Sequence, residues 1–342
     1  MRSEAGMPEI DRVEAGALSD PAALRSLAGE CRPTLIAGLC ASWPAVCQAS
    51  DSDAACAAYL AGLDGGEIAE AFIGARAIGG RYHYGEGLEG FNFARETMRV
   101  EQALARILAN AADGATETLY MGSLPTDQYL ARFPKENSLA AMAPHMRPRI
   151  WMGNASTIAC HFDTYDNLAC VIAGRRRFTL YPPDAIADLY VGPIDHTMAG
   201  QPVSLAAGAA PGDPRYPRFA AAAARAITVD LEPGDALYLP KLWWHQVEAT
   251  APFNVLANYW WDAFAAGPDV PFPTMLLSMI AIAERPEAER QAWRAYFDHY
   301  VFRPEGHPLA HLSPEKHGVL GPLGQGNYGR IRAWAMRLLR GA

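Results

Sequence analysis

The sequence predicts a mainly β protein with flanking helices, in which a central sandwich or barrel of short strands precedes a helical C-terminal segment. Two patterns indicate this fold class. Between residues 149 and 261, short apolar or alternating segments follow one another, separated by Gly, Pro, Asp and Asn. Many short strands with such turn signals are typical of a sandwich or barrel. From about residue 272 the apolar residues recur at helical spacing instead, with an interruption at Pro286.

The segments before the barrel contain helix and strand signals in turn. Residues 20–30, DPAALRSLAGE, open with an Asp cap and a Pro in the first turn, which is a helix start. The following PTLIAGLCASWPAV predicts a buried strand and a turn. Further helices are predicted for the Ala-rich stretches and for the basic, amphipathic tail, at residues 53–61, 104–112, 219–226 and 326–342.

These elements divide the chain into three parts. We predict an N-terminal lead-in over residues 1–30, the β-rich domain over 31–262 and the helical segment over 263–342. A chain of 342 residues, half of them hydrophobic, is long enough for one or two domains with a large core.

Composition excludes several classes of partner. Lys plus Arg total 29 against 37 Asp plus Glu, and this net charge of −8 argues against a dedicated nucleic-acid binder. No apolar run approaches the roughly 18 to 20 residues of a membrane span, and the start MRSEAGMPEIDRVEAG lacks the apolar core of a signal peptide. Six cysteines without a CxxC pair suit ordinary buried thiols. We therefore expect a cytoplasmic protein with no nucleic-acid or membrane partner.

The stretch CHFDTYDN places His161 and Asp163 two residues apart, so on a strand both would project to the same face. A buried imidazole and carboxylate need either a mutual hydrogen bond or a divalent metal between them. His245 follows two tryptophans, where a histidine alone is more often a core residue than a ligand. The three together form a two-histidine, one-carboxylate set, which suits non-haem Fe(II), although Zn²⁺ also accepts such ligands.

Three consecutive arginines in AGRRRFTLYPP are divided by strand alternation. Arg176 shares a face with Phe178 and Leu180, whereas Arg175 and Arg177 share the other. If the apolar pair faces the barrel core, Arg176 is buried and needs an anion. A ligand carboxylate would satisfy it with two hydrogen bonds.

The remaining histidines, tryptophans and the cysteine beside the first ligand have ordinary structural interpretations. Cys160 should face away from His161, and His196 is expected to be a surface residue of a Gly- and Pro-rich insert. The four tryptophans at 243, 244, 260 and 261 are expected in the core, since no basic groove accompanies them.

Taken together, HFD, NLACVIAGRRRFTLYPP, LEPGDALYLPKLWWHQVEA and FNVLANYWW resemble the cupin-like branch of the Jumonji-C oxygenases, which includes the asparaginyl hydroxylase that inhibits hypoxia-inducible factor. RPTLIAGLCASWPAV and GFNFAR fit the same family, so the resemblance covers roughly residues 30–262. It implies a double-stranded β-helix, that is, a cupin or jelly-roll barrel. It also implies a dioxygenase, a hydroxylase that uses Fe(II), 2-oxoglutarate and O2.

The same resemblance assigns roles by position. His161, Asp163 and His245 match the iron ligands. Four further positions match residues of the cosubstrate pocket: Arg176 and Tyr120 at the distal carboxylate of 2-oxoglutarate, with Asn167 and Asn258 lining the pocket. Where some relatives have a Thr three residues before the first His, this chain has Ile158.

Substrate and assembly are also expectations from the resemblance. A side chain of a protein or peptide is the first candidate substrate and a free small molecule is the second. Related oxygenases pair through C-terminal helices, and the apolar stripe MLLSMIAIA fits a homodimer of that kind. Two other classes stay open: a metal-binding cupin without redox chemistry that handles sugars or small molecules with Zn²⁺ or Mn²⁺, and a catalytically inactive regulator.

Overall fold

The computed structural model describes residues 9–112, 115–143, 145–198 and 200–341. The chain forms two compact units, Met1–Ala263 and Phe264–Ala342. Residues 1–8, the start of the predicted lead-in, lie outside the described residues. They are also the first half of MRSEAGMPEIDRVEAG, the stretch in which the sequence shows no signal-peptide core. The three-part division at residues 30 and 262 stays a prediction.

The first unit is built on strands that are short and bounded by turns, as the sequence predicts. In chain order they are β1 (Asp11–Glu14), β2 (Thr34–Ala37), β3 (Ile68–Ala75), β4 (Arg81–Tyr82), β5 (Ala94–Arg99), β6 (Glu117–Pro125), β7 (Arg149–Gly153), β8 (Ser156–His161), β9 (Asp166–Ala173), β10 (Arg176–Tyr181), β11 (Ile227–Leu231), β12 (Ala236–Leu239), β13 (Trp244–Ala249) and β14 (Asn254–Trp261).

These strands form two sheets. Within the described residues, the larger sheet has the order β1-β2-β12-β9-β14-β7-β6-β3-β5 and the smaller one β11-β10-β13-β8-β4. From β7 to β14 the chain passes from one sheet to the other at almost every connection, and only β10 and β11 follow each other within one sheet. This path is that of a jelly roll, and the predicted fold class is confirmed.

Two layers of apolar side chains surround the larger sheet. One core lies between the sheets and joins Phe178 and Leu180 of the smaller sheet to Val171 and Leu237 of the larger. The other packs helices onto the outer face of the larger sheet. Since both faces are covered, all eight residues of β9 are buried, which explains the nearly continuous apolar run NLACVIA.

Helices of the first unit largely follow the sequence signals. Asp20 caps the first helix by accepting hydrogen bonds from the amides of Ala22 and Ala23, both at 2.9 Å. The helices are α1 (Pro21–Glu30), α2 (Pro44–Asp51), α3 (Asp53–Ala61), α4 (Val100–Asn110), α5 (Thr126–Tyr129), α6 (Phe133–Glu136) and α7 (Phe219–Ala223).

The second unit is helical, as predicted. It contains α8 (Pro271–Ile282), α9 (Glu287–Phe297), a π-helical turn over Asp298–Phe302 and α10 (Asn327–Arg340). The interruption at Pro286 separates α8 from α9, because proline is tolerated at a helix start but not in its interior. In the described part of the chain, no helix has both the length and the apolar character that a membrane crossing requires.

The cysteines differ in part from expectation. All six are free thiols, but only Cys40, Cys56, Cys160 and Cys170 are buried, whereas Cys31 and Cys47 are exposed. Cys31 is the C-terminal cap of α1, and Cys47 lies on the exposed side of α2. The sequence pattern did not reveal that these two positions are exposed.

The connection between β9 and β10 carries the chain from the larger to the smaller sheet through Gly174 and Arg175. Gly174 has a positive φ of +72°, which favours glycine. A Cβ there would lie 2.5 Å from the carbonyl oxygen of Phe253 and would also overlap the side chain of Asn254. The turn is therefore restricted both in conformation and in space.

We predict that Gly174→Ala destabilises the protein by about 2 to 5 kcal/mol, combining left-handed strain with overpacking. Gly79→Ala is the matched control, since Gly79 also has a positive φ, of +58°, but has open space around it. That variant should lose only about 1 to 2 kcal/mol. Urea unfolding of both variants measures the difference, and equal losses would contradict the close packing at Gly174.

Candidate metal and cosubstrate site

The candidate site lies on the inner face of the smaller sheet, where β8, β13 and β10 are neighbours. Their register creates three rows of facing residues across these strands. The first row is Leu180, His245 and His161, the second is Phe178, Val247 and Ile158, and the third is Arg176, Ala249 and Ser156.

A bulge in β8 makes this arrangement possible. Between the second and first rows, β8 contributes Ala159 and Cys160, whereas β13 contributes only Gln246. Such an extra residue reverses the alternation of side chains along the bulged strand. Without it, His161 and Ile158, three residues apart, would face opposite sides of the sheet.

His161, Asp163 and His245 come together at one end of a cavity between the two sheets. Their candidate ligand atoms all lie within 4.8 Å of one another. The two imidazole rings are 4.3 Å apart, and Nε2 of His245 is 3.8 Å from the Asp163 carboxylate. The cavity encloses about 480 Å³. This spacing allows one metal ion to contact all three side chains.

The prediction that Asp163 lies on a strand is wrong. β8 ends at His161, and Asp163 lies in the segment that crosses to β9. Beyond the strand ends the two segments stay in contact, since the amide of Leu242 donates to the carbonyl oxygen of Asp163 at 2.8 Å. Between the two candidate ligands, the ring of Phe162 packs edge-on against Trp244 at 4.9 Å and turns away from the cavity. The carboxylate reaches the site through this turn rather than through strand alternation.

Both histidines are oriented by the backbone. Nδ1 of His161 lies 2.8 Å from the carbonyl oxygen of Ala159, and Nδ1 of His245 lies 3.0 Å from that of Trp243. A carbonyl can only accept, so each Nδ1 donates, and in a neutral ring Nε2 then carries the lone pair that can bind a metal. Burial, together with the neighbouring His161, lowers the pKa of His245 to about 4. The ring is therefore neutral at physiological pH, as a metal ligand must be.

Cys160 is not part of this donor set. It is buried and does not line the cavity, and burial raises the pKa of its thiol. Two imidazoles and a carboxylate are borderline and hard donors, which suit Fe(II) and other divalent metals without a thiolate preference. The residues present thus fit a non-haem iron centre.

Arg176 faces the cavity while its neighbours do not. Arg176 as a whole residue is 5% exposed, whereas the side chains of Arg175 and Arg177 are 69% and 47% exposed. The outer two pair with Glu232 and Asp230. Among the described residues, no carboxylate forms an ion pair with Arg176.

The charge on Arg176 is retained despite its burial. Burial lowers the pKa of Arg176 to about 10, so the guanidinium stays protonated at neutral pH. Burial also raises the pKa of the Tyr120 phenol, which keeps its hydroxyl as a donor. Both side chains line the same cavity. The structure thus brings the two predicted distal-carboxylate residues into one space.

Asn167 and Asn258 also line the cavity, from the larger sheet. The Asn258 amide donates to Oδ1 of Asn167 at 3.0 Å and accepts from Nε1 of Trp151 at 2.6 Å. These hydrogen bonds fix the orientation of Asn258 and leave the Nδ2 group of Asn167 without a partner among the described residues. All seven residues predicted for the site therefore meet in one cavity.

Sequence reasoning missed two polar groups of the cavity. Gln201 and Trp260 line it, and Oε1 of Gln201 and Nε1 of Trp260 are buried without a hydrogen-bond partner in the described part of the chain. The expectation that Trp260 is a core residue is therefore wrong, although Trp243, Trp244 and Trp261 are buried. Trp260 lies two residues beyond Asn258 on β14, so the alternation that exposes one to the cavity exposes the other.

His196 does not lie freely on the surface. Its ring stacks on Phe91 with centroids 5.3 Å apart, and its carbonyl accepts from the hydroxyl of Tyr84. Arg95 donates to the carbonyl of Met198 at 3.1 Å, so two contacts attach this insert beside the cavity. The insert contributes Met198 and Gln201 to the lining, which its Gly- and Pro-rich sequence did not predict.

The facing sheets and the inward histidines define a jelly-roll protein of the cupin class. The profile of the cupin-like domain family matches residues 21–267, and the chain belongs to this family. Similar proteins include "HSPB1-associated protein 1 homolog" of Danio rerio, 36% identical over 115 residues, which are 32% of this chain and 24% of that protein.

Two further relatives support the Jumonji-C branch. "Jumonji C domain-containing protein 5" of Drosophila melanogaster is 35% identical over 117 residues, which are 33% of this chain and 27% of that protein. "Bifunctional peptidase and (3S)-lysyl hydroxylase JMJD7" of Homo sapiens is 30% identical over 130 residues, 33% of this chain and 40% of that protein. The matches thus span less than half of each relative. The resemblance to the cupin-like Jumonji-C branch is confirmed.

We predict that His161→Ala, Asp163→Ala and His245→Ala each weaken Fe(II) binding by more than roughly a hundredfold, the upper loss seen when only a supporting outer residue is removed. The fold should be retained, because no ligand is part of an apolar core cluster. Metal content after dialysis against Fe(II) measures this. His299→Ala, in the second unit, is the control and should keep the metal content of the wild type. If a variant at one of the three candidate ligands binds as much metal as this control, that residue is not a metal ligand.

Proposed function

We propose that the protein is an Fe(II)- and 2-oxoglutarate-dependent dioxygenase that hydroxylates its substrate. The observation that carries this proposal is the sequence of the three rows on the smaller sheet. A row with two metal-ligand candidates is followed by an apolar row and then by a row with a buried cation. This order corresponds to the parts of 2-oxoglutarate, whose keto acid, methylene groups and distal carboxylate follow one another.

The spacing along the strands supports this correspondence. Arg176 is four residues from Leu180, the residue that faces His245, and a strand rises about 3.4 Å per residue. The two rows are therefore about 14 Å apart at the backbone, and side chains projecting into the cavity leave room for a small dicarboxylate between them. The apolar row of Phe178, Val247 and Ile158 can contact its methylene groups.

Iron bound with 2-oxoglutarate and O2 would supply the oxidising power, by decarboxylation of the cosubstrate and transfer of an oxygen atom to a substrate C–H bond. The chain's own residues orient and enclose. His161 and His245 hold their Nε2 atoms in place through backbone hydrogen bonds, and Arg176 binds the distal charge. Apolar lining such as Phe178 and Leu256 excludes water from the cavity.

The rival function, a non-redox cupin that handles neutral sugars or other uncharged small molecules, would leave Arg176 without an anion. A buried guanidinium without an anionic partner is unfavourable by several kcal/mol, and no described carboxylate compensates it. A bound dicarboxylate does. The inactive regulator has the same difficulty, because it would keep both a complete ligand triad and this buried charge without using them.

We predict that Arg176→Met weakens 2-oxoglutarate binding by roughly a hundredfold to a few thousandfold, since removing one partner of a buried charged pair costs about 3 to 5 kcal/mol. Fe(II) binding should be nearly unchanged, because Arg176 is distant from the metal ligands along the strand. Calorimetric titration of metal-loaded protein with 2-oxoglutarate measures the loss.

Arg175→Met and Arg177→Met are matched controls on the same strand region. Each removes an exposed ion pair, which is worth about 0 to 1 kcal/mol. Their 2-oxoglutarate affinity should stay within roughly fivefold of wild type. Equal losses at all three positions would reject the cosubstrate assignment.

For the substrate, we propose a side chain of a protein or peptide first and a small molecule second. The relative from Homo sapiens is named a lysyl hydroxylase, which supports a side-chain substrate by analogy. The unpartnered polar atoms of Gln201 and Trp260 would meet polar groups of the substrate. Mass spectrometry of a lysate treated with the enzyme should show peptides heavier by one oxygen atom, absent with the His161→Ala variant. Oxygen addition found only on metabolites would reverse this order.

We also propose a homodimer through the C-terminal helices. α8 has no buried residue, and several of its large apolar side chains are exposed: Met275, Leu277, Met279 and Ile280. Apolar surface of this extent is typical of an interface. Sedimentation at micromolar concentration should give twice the chain mass, and Leu277→Glu with Ile280→Glu should give the monomer. A monomer mass for the wild type would contradict this proposal.

A further inference from the structure

Ser156 is a buried polar residue of the third row that no resemblance singles out. It is 6% exposed and lines the cavity together with Arg176 and Tyr120. Within the described residues its hydroxyl makes no hydrogen bond. The hydroxyl is therefore available to hydrogen-bond a group that occupies the cavity.

The register places Ser156 in the same row as Arg176, two strands away. Ser156 on β8 faces Ala249 on β13, and Ala249 faces Arg176 on β10. Neighbouring strands are about 4.8 Å apart, so the backbones of Ser156 and Arg176 are roughly 10 Å apart. Ala249, the residue between them, projects only a methyl group.

Ile158 gives this position its significance. The second-row residue of β8 is the apolar Ile158, so β8 offers no hydroxyl to the cavity in that row. Ser156 is the next residue of β8 that lines the cavity on that side, because alternation directs Thr157 to a separate cavity on the other face. The first hydroxyl that β8 presents to the cavity beyond Ile158 therefore lies in the third row, with Arg176.

The backbone beside Ser156 is closed by a glycine. Gly80 has a positive φ of +71°, and a Cβ there would lie 2.9 Å from the Cα of Ser156 and overlap the carbonyl of Ala155. The amide of Thr157 donates to the carbonyl of Gly80 at 2.9 Å. This close approach fixes the start of β8 and leaves the cavity as the open side of Ser156.

We propose that the Ser156 hydroxyl donates a hydrogen bond to the distal carboxylate of 2-oxoglutarate, next to Arg176. The inference rests on the proposed function. It makes the third row a paired site, with one charged and one neutral donor, for a carboxylate at the far end of a five-carbon 2-oxo acid.

The test compares two ligands that differ only at this end. 2-Oxopentanoate has the carbon chain of 2-oxoglutarate but carries a methyl group in place of the distal carboxylate. Both are titrated into Zn²⁺-loaded protein, 2-oxoglutarate by calorimetry and 2-oxopentanoate by ligand-observed NMR. Ser156→Ala should weaken 2-oxoglutarate by roughly tenfold to a hundredfold, the range for a hydrogen bond to a charged group. It should leave 2-oxopentanoate unchanged.

Thr157→Ala is the matched control, since it removes the neighbouring hydroxyl of the same strand on the opposite face, and it should leave both affinities unchanged. Ser156→Thr keeps the hydroxyl and should retain 2-oxoglutarate within a few fold. The inference is overturned if Ser156→Ala weakens the binding of both ligands equally. It is also overturned if Ser156→Ala binds 2-oxoglutarate as tightly as Thr157→Ala does. In either case the proposed function stands. A wild-type protein that does not distinguish the two ligands rejects the proposed function itself.

Discussion

The bulge in β8 is the constraint on which the candidate site depends. It allows His161 to share the inner face with Ile158 and Ser156, although odd and even positions of a regular strand face opposite sides. The carbonyl of Ala159, within the bulge, also accepts the Nδ1 proton of His161. One irregular residue therefore sets both the direction and the tautomer of a candidate ligand, and it brings the third row into the same cavity.

The distribution of charge follows from this geometry. On the outer face of the smaller sheet, Arg177 pairs with Asp230, and Arg175 pairs with Glu232 beside it, in water. On the inner face, Arg176 has no such partner among the described residues. Charges that the fold itself needs would be paired within the fold, because unpaired burial is costly. The inner charge is therefore best explained by a ligand, and its cost is offset only when that ligand is bound.

Much of this site could be predicted from local rules, and the remainder could not for physical reasons. Alternation from Phe178 correctly indicated that Arg176 faces inward, because β10 is regular along its whole length. The same rule misplaced Asp163 and gave no signal for Ser156, since a bulge and a strand end are set by pairing with β13, a segment some ninety residues away. The inward position of Trp260 likewise depends on how β14 pairs with β9.

The separation of the metal row from the cation row has a mechanistic consequence. Both rows belong to one hydrogen-bonded sheet, so their distance is set by the backbone and not by flexible loops. In the proposed function, binding energy gained at the distal carboxylate would help to orient the keto acid at the other end, beside the candidate metal ligands. This use of remote binding energy to position a reacting group is more effective on a rigid scaffold. A shift in the register of the three strands would change the distance between the row of metal-ligand candidates and the row of Arg176. Binding at Arg176 could then no longer position the reacting group, even if every site residue were kept.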